Sequence, residues 1–238
     1  MPGGQEAGQN GQVPDKRDSA AEAILARRSV RAFLPRPVER SAIEEMLDLA
    51  ARAPSGGNLQ PWHVDVVTGE PLASLKAQAL SAAGAGGTGM ELTVYPSPLP
   101  EPWRSRRYRS GEALYEAIGI AREDRPARLA QFARNFDAFG APVLLFFSID
   151  RIFDRPQWAH LGMFIQNIML LAEERGLATC PQEAWAAVHE VVARHLDLPA
   201  ERMLYCGMAL GHADPDAPIN RVRTDREPAG GFAAFHGF

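Results

Sequence analysis

Arg27-Arg28-Ser29-Val30-Arg31-Ala32-Phe33 sets three arginines and a hydroxyl within five residues at the end of a short amphipathic segment. Upstream, Ser19 and Glu22 have capping-box spacing, which satisfies two orphan backbone donors at a helix start. Ile24 and Leu25 add a small apolar face before the arginines begin. Guanidinium groups pair with phosphate oxygens in bidentate fashion, and a serine donates alongside them. Alone, such a run also describes a solvated basic surface. Its neighbours decide between the two.

The next informative stretch is Ala53-Pro54-Ser55-Gly56-Gly57-Asn58-Leu59-Gln60-Pro61-Trp62. It follows a helix expected to open on Ser41 with Glu44 as its capping-box partner. Ile43, Met46, Leu47 and Ala50 fall at i, i+3, i+4 and i+7, so one face of that helix is buried. Pro54 ends it, because proline lacks the helical donor. Gly56 and Gly57 let backbone approach a ligand, while Ser55, Asn58 and Gln60 hydrogen-bond in both directions. By itself the loop reads as well as a plain turn.

Together the two motifs closely resemble the nitroreductase family, the FMN-dependent flavoproteins that oxidise NAD(P)H. That family carries an Arg-x-Ser-x-Arg/Lys motif after a short helix, then a Pro-Ser-x-x-Asn-x-Gln-Pro-Trp loop. Three later segments fit as well. Residues 157–179 are similar to its central helix. Cys180-Pro181-Gln182-Glu183-Ala184-Trp185 is similar to its flavin-ring loop, and Asn220-Arg221-Val222-Arg223 to its C-terminal phosphate contact. The resemblance spans roughly residues 20–228. Within the family, the Cys-Pro-Gln-Glu-Ala-Trp segment and Gly207-Met208-Ala209-Leu210-Gly211 look most like the subgroup acting on nitrobenzoates and other nitroaromatics.

The resemblance implies an α+β, nitroreductase-like fold, with a central mixed β-sheet flanked by helices in an intertwined homodimer. It implies FMN in a cleft between subunits, NADPH or NADH as reductant, and a small nitroaromatic or quinone-like acceptor reduced by a ping-pong mechanism. The cofactor carries the redox chemistry, so no catalytic side chain is assigned. Arg27, Ser29, Arg221 and Arg223 would hold the FMN phosphate, flanked by Arg28. Arg31 would lie near the pyrimidine end of the ring, where a cation stabilises the reduced anion. Pro54, Ser55 and Asn58 would reach in from the partner, with Gln60 nearby. Pro181, Gln182 and Glu183 would line the ring, and Asn135 would reach its edge. Two other readings stay open: a flavin-fragmenting oxygenase of the same family, and a non-enzymatic flavin- or anion-binding module.

Bulk properties agree with an enzyme of this kind. The 238 residues suffice for one sizeable core, with 46% hydrophobic and 23% charged residues. A formal charge of −4 offers no global attraction to nucleic acid or to an anionic membrane. Two cysteines, Cys180 and Cys206, make no disulfide framework and suit a reducing cytoplasm. No apolar stretch approaches membrane-spanning length. Residues 1–18 read as a disordered tail and 19–238 as one domain. A long irregular insertion covers about 84–124, with prolines at 96, 98, 100 and 102.

Strands are expected at 64–67, 143–149 and 203–208, the second an unbroken apolar run, VLLFFSI. Helices are expected around 72–80, over 156–176 and over 183–196. The 156–176 helix has proline first and glycine last, and is apolar on almost every face, as suits one shared with a partner chain.

Other patterns fail on context. Gly84-x-Gly86-x-x-Gly89 spells a dinucleotide fingerprint, yet a helix precedes it and a proline-rich stretch follows. His189 and His195 stand six residues apart, so they do not share a helix face as zinc ligands must. No metal is expected. Cys180 reads as a small buried hydrophobe before it reads as a nucleophile. Arg104-Ser105-Arg106-Arg107-Tyr108-Arg109 reads first as a solvated basic loop, and second as a grip on a phosphate or carboxylate.

Overall fold

The computed structural model describes residues 19–238. The disordered tail expected over 1–18 lies outside the described residues. In chain order the elements are α1 (Ala20–Ala26), β1 (Phe33–Leu34), α2 (Arg40–Ala50), β2 (His63–Thr68), α3 (Gly69–Gly84), α4 (Trp103–Ala117) and α5 (Arg125–Ala133). There follow β3 (Val143–Asp150), α6 (Arg155–Glu174), β4 (Ala178–Gln182), α7 (His189–His195) and β5 (Arg202–Ala213).

The sheet is organised around β3 and β5. Val143 pairs with Leu210 and Asp150 with Arg202, with one irregularity at Phe147/Ser148. β2 lies on the other edge of β3, while β4 and β1 both pair with the C-terminal half of β5. Every pairing of named strands is antiparallel, so the mixed sheet expected from the sequence is corrected to an antiparallel one. Strand direction depends on how distant segments dock, and local residue patterns carry no record of it. Outside the named strands, an isolated parallel bridge from Ser29 to Thr179 ties the arginine segment to β4, and another joins Gly89 to Val188.

Both faces of this sheet are covered, which is why β3 reads as a continuous apolar run. Leu144 and Phe146 join Leu72, Leu75, Phe136 and Trp185 on one side. Leu145, Phe147 and Ile149 join Ile43, Met46, Leu161, Phe164 and Ile168 on the other. Trp185 is fully buried, with Phe136 and Phe146 edge-on at centroid distances of 5.6 and 5.1 Å. Opposite it, Gly207 has no room for a side chain, since a Cβ there would sit 2.6 Å from the Trp185 ring.

The long α6 keeps its expected ends. Asp154 and Gln157 form a capping box, Pro156 occupies the first turn, and Gly176 at φ 67° closes the helix. Its core side buries Leu161, Phe164, Ile165, Ile168 and Met169, while Ala159, Gly162, Met163 and Gln166 face outward.

Four expectations about elements are corrected. The helix expected from Ser41 begins at Arg40, with Glu39 at the cap and no side-chain capping bond; Arg40 instead pairs with Glu44 at 2.7 Å. The helix expected over 183–196 is split, because a 3₁₀ turn at Glu183–Ala187 drives Trp185 inward before α7 starts. The strand expected to end at 208 continues to Ala213. The insertion at 84–124 contains a 15-residue helix, α4, in which no residue is buried. Its only helix-length segment lacks an apolar stripe, so the sequence gives no 3.6-residue period to detect.

Candidate functional site: an arginine-lined cleft

Val30 is fully buried, and its amide donates to the Thr179 carbonyl at 3.0 Å. This strand-like docking turns the neighbouring Arg28, Ser29 and Arg31 away from the core. They line a cavity of about 680 Å³, together with Arg27, Ser110 and Leu114 of α4, Gln166 and Met169 of α6, and Val222 to Thr224 and Arg226.

Asn220 holds the cavity wall together. Its side chain is buried, with Oδ1 accepting from the Arg31 amide at 2.8 Å. Nδ2 donates to the carbonyls of Ala32 and Asp214 at 2.8 and 2.9 Å. The Asn220 carbonyl accepts from Arg28 Nε at 2.9 Å and from Arg223 Nη1 at 3.2 Å. Arg31 Nη1 is fixed on the Ser29 carbonyl at 3.1 Å. The Arg31 and Arg223 guanidinium groups, tethered to neutral carbonyls, keep their charge and have donors left for an anion. The Arg27 amide caps α1 on the Ala23 carbonyl at 2.9 Å, and its side chain has no partner among the described residues.

A second cavity of about 230 Å³ is bounded by Gly162, Ile165, Gln166, Met169, Pro181, Glu183, Tyr205 and Cys206. Gln166 and Met169 belong to both walls, so the two cavities adjoin along α6, and we call them the two ends of one cleft. One end is cationic and the other mostly apolar. Burial raises the Glu183 carboxyl above the ordinary range, against the opposing effect of a hydrogen bond from Tyr205. Burial likewise pushes the Cys180 thiol up to about 11, so it stays protonated and acts as a small hydrophobe, as the sequence reading preferred.

The remaining expected site residues fall elsewhere. Gln182 is buried with its side chain spent inside the fold: Nε2 donates to the Asn135 carbonyl at 2.7 Å, and Oε1 accepts from Trp185 Nε1 at 3.4 Å. Asn135 is therefore a neighbour of Gln182. Arg221 points to the Asp216 carbonyl at 3.4 Å and lies outside the cavity wall.

Pro54, Ser55, Asn58 and Gln60 line neither end of the cleft in their own chain. Their loop is bent sharply, with Gly57, Asn58 and Gln60 at positive φ. It is closed by Gln60 N–H on Ser55 Oγ at 3.0 Å and sits against His160 of α6 through the Gly56 amide at 3.4 Å. Left-handed backbone at non-glycine residues is uncommon and clusters at ligand sites.

Residues 104–109 belong to α4, and their charges are largely engaged. Arg104 meets Glu101 at 2.7 Å, Arg106 meets Glu227 at 2.7 Å, and Arg107 lies 4.3 Å from the Tyr95 ring centre. None of these arginines lines the cleft. Sequence reasoning placed Asn220 in the C-terminal motif but gave it no role, and it missed the cavity-facing Gln166, Met169 and Tyr205. Among the described residues no group of side chains is arranged to hold a metal ion. No described helix is long and apolar enough to cross a membrane.

Fold and cavities together define an α+β protein with a hollow along α6 that is cationic at one end and mostly apolar at the other. The chain belongs to the nitroreductase family, whose sequence profile matches residues 24–212. It is 40% identical over 221 residues to a 4-nitrobenzoate reductase of Pseudomonas putida, covering 93% of this chain and 97% of the relative. Among solved structures, it is 47% identical to the FMN and NADPH-dependent nitroreductase NfnB of Sphigopyxis sp. strain HMH. That match covers 92% of this chain and all of the other, with a TM-score of 0.89. The Mycobacterium smegmatis NfnB, an FMN-dependent nitroreductase solved in complex with NADPH, is 29% identical over 91% of this chain and 98% of its own, with a TM-score of 0.87.

Proposed function

We propose that the protein is an FMN-dependent, NAD(P)H-oxidising reductase of nitroaromatic compounds such as 4-nitrobenzoate. The observation that carries this reading is the convergence of Arg27, Arg28, Ser29, Arg31 and Arg223 on the cationic end of a cleft whose other end is apolar. Arg27, Arg28, Ser29 and Arg223 would hold the FMN phosphate, and Arg31 would face the ring. Arg221 joins them only by leaving the Asp216 carbonyl. Pro181 and Glu183 line the ring end directly, whereas Gln182 supports it from behind through Asn135 and Trp185. When bound, FMN supplies the hydride transfers in both directions. A single cleft serving reductant and acceptor in turn supports ping-pong kinetics. The buried, protonated thiols of Cys180 and Cys206 suit a reducing compartment, the cytoplasm.

Arg27→Ala tests the phosphate end. Losing one charge-assisted phosphate contact costs about 1.5–3 kcal/mol, which is roughly ten- to hundredfold in affinity. The purified wild-type protein is expected to be yellow, to bleach with NADPH, and to regain its colour with 4-nitrobenzoate. The variant is expected to lose flavin on dilution and gel filtration. Stoichiometric retention would remove Arg27 from the site.

The same reading includes a homodimer built on α6. Ala159, Gly162, Met163 and Gln166 leave a small-residue, partly apolar face outward, and Ile24 and Leu25 of α1 are 55% and 83% exposed. The Pro54–Gln60 loop, unable to reach the cleft of its own chain, would then serve the cleft of the second copy. Sedimentation at micromolar concentration is expected to show a dimer; a flavin-loaded monomer would refute the arrangement.

A further inference from the structure

Nitro reduction consumes protons as well as electrons. In the first stage, ArNO2 + H⁻ + H⁺ → ArNO + H2O, one N–O bond breaks and nitrogen gains two electrons. The hydride brings both electrons and one hydrogen, so the departing oxygen leaves as water only if one further proton arrives. Around the cleft, Glu183 is the only carboxyl group among the described lining residues. Its carboxyl lies at the ring end, half-buried, and Tyr205 Oη donates to Oε1 at 3.4 Å. The Tyr205 ring is braced edge-on by Trp158 of α6, with ring centres 5.4 Å apart.

We propose that Glu183 is the acid that supplies the proton consumed with the hydride when a nitro group is reduced in this cleft, with Tyr205 as its positioning residue. The proposal rests on the functional reading above. The carboxyl O–H bond breaks, the proton goes to the departing oxygen, and the carboxylate left behind is reprotonated from water. The hydride comes from the NAD(P)H-reduced flavin.

The surroundings favour a protonated acid. Tyr205 and Cys206 of β5 are the titratable groups facing Glu183. Both are neutral at ordinary pH, and burial raises Tyr205 to about 12. From α6, Gly162, Ile165, Gln166 and Met169 bring no charge, and Pro181 brings none from β4. With no cation beside it among the described residues, burial dominates and the carboxyl is raised from its ordinary value. A general acid works best when its pKa approaches the operating pH.

The test uses FMN-loaded wild-type, Glu183→Gln and Tyr205→Phe proteins, with the two half-reactions followed separately by stopped flow. Flavin reduction by NADPH needs no external proton, whereas reoxidation by 4-nitrobenzoate does. Glu183→Gln is expected to slow reoxidation at least tenfold more than reduction. The wild-type reoxidation rate falls as pH rises through the Glu183 pKa. Tyr205→Phe removes a bond that favours the carboxylate, so the falling limb moves to higher pH.

Infrared titration of the resting holoprotein gives a readout independent of turnover. A protonated-carboxyl band is expected to titrate above the ordinary glutamate range and to vanish in Glu183→Gln. Equal slowing of both half-reactions, an unchanged pH limb in Tyr205→Phe, or absence of that band would overturn the assignment. If NADPH fails to bleach wild-type flavin, the functional reading itself falls and the proton role falls with it.

Discussion

Asn220→Leu is expected to lower the unfolding free energy by about 2–4 kcal/mol, since it strips partners from two part-buried backbone groups, each toward the lower end of the about 1–3 kcal/mol that a buried one costs. The Arg31 amide loses its acceptor, and the Asp214 carbonyl loses its side-chain donor. The Ala32 carbonyl is spared the full loss, because the Asp214 amide still reaches it at 3.0 Å. In a domain of this size the change corresponds to a melting temperature lower by roughly 5–15 °C. Flavin content should fall with it, because Arg28 and Arg223 are both anchored on the Asn220 backbone. Thermal melts of the apo and FMN-loaded variant check both parts. A melting temperature within a degree or two of wild type would show that Asn220 is not the clamp described above.

Gly207→Val should be comparably damaging, by about 3 kcal/mol, the upper range for forcing bulk into a close-packed core. The new Cβ would lie 2.6 Å from Trp185 Cδ1 and 3.0 Å from Nε1. Trp185 has nowhere to retreat, being fully buried between Phe136 and Phe146. Any shift of its ring also disturbs Gln182, which accepts its Nε1 proton, and through it the turn that places Glu183. Denaturant unfolding should therefore show a lower midpoint, and flavin affinity should weaken even where the variant remains folded. An unchanged midpoint with unchanged affinity would mean that the core opposite Gly207 yields more easily than its packing indicates.

The parts of this fold that announce themselves in the sequence are those where one residue pattern serves one physical purpose. VLLFFSI is buried on both faces and reads that way. The α6 helix carries its own stop and start residues, and the arginine cluster has one reason to crowd so many cations together. The α4 helix stayed hidden because packing contributes little to it. It is stabilised by ion pairs and by arginines stacked on Tyr95, Tyr108 and Tyr115, which leave no apolar rhythm.

The break at residue 188 was hidden for the opposite reason. Residues 183–196 have helix-forming composition, yet burying Trp185 requires a tighter turn first, a tertiary demand that overrides local preference. The candidate site was legible as a set of residue types. Which side chains face the ligand and which prop up the wall was not. Gln182 and Asn220 are both polar members of the motifs, yet their side chains are turned inward by partners distant in sequence.

The short parallel bridge between Ser29 and Thr179 gives the cleft a fixed calliper. From Thr179, which sets the cationic jaw, to Gln182 and the apolar jaw is three steps along one strand, about 10 Å at the rise of extended chain. A strand hydrogen-bonded along β5 does not lengthen or shorten, so the gap between the jaws is set by the sheet rather than by the loops. Changes to the rim alter how firmly a molecule is gripped. The spacing between the cationic and the apolar end is thus fixed by backbone pairing before any rim contact forms.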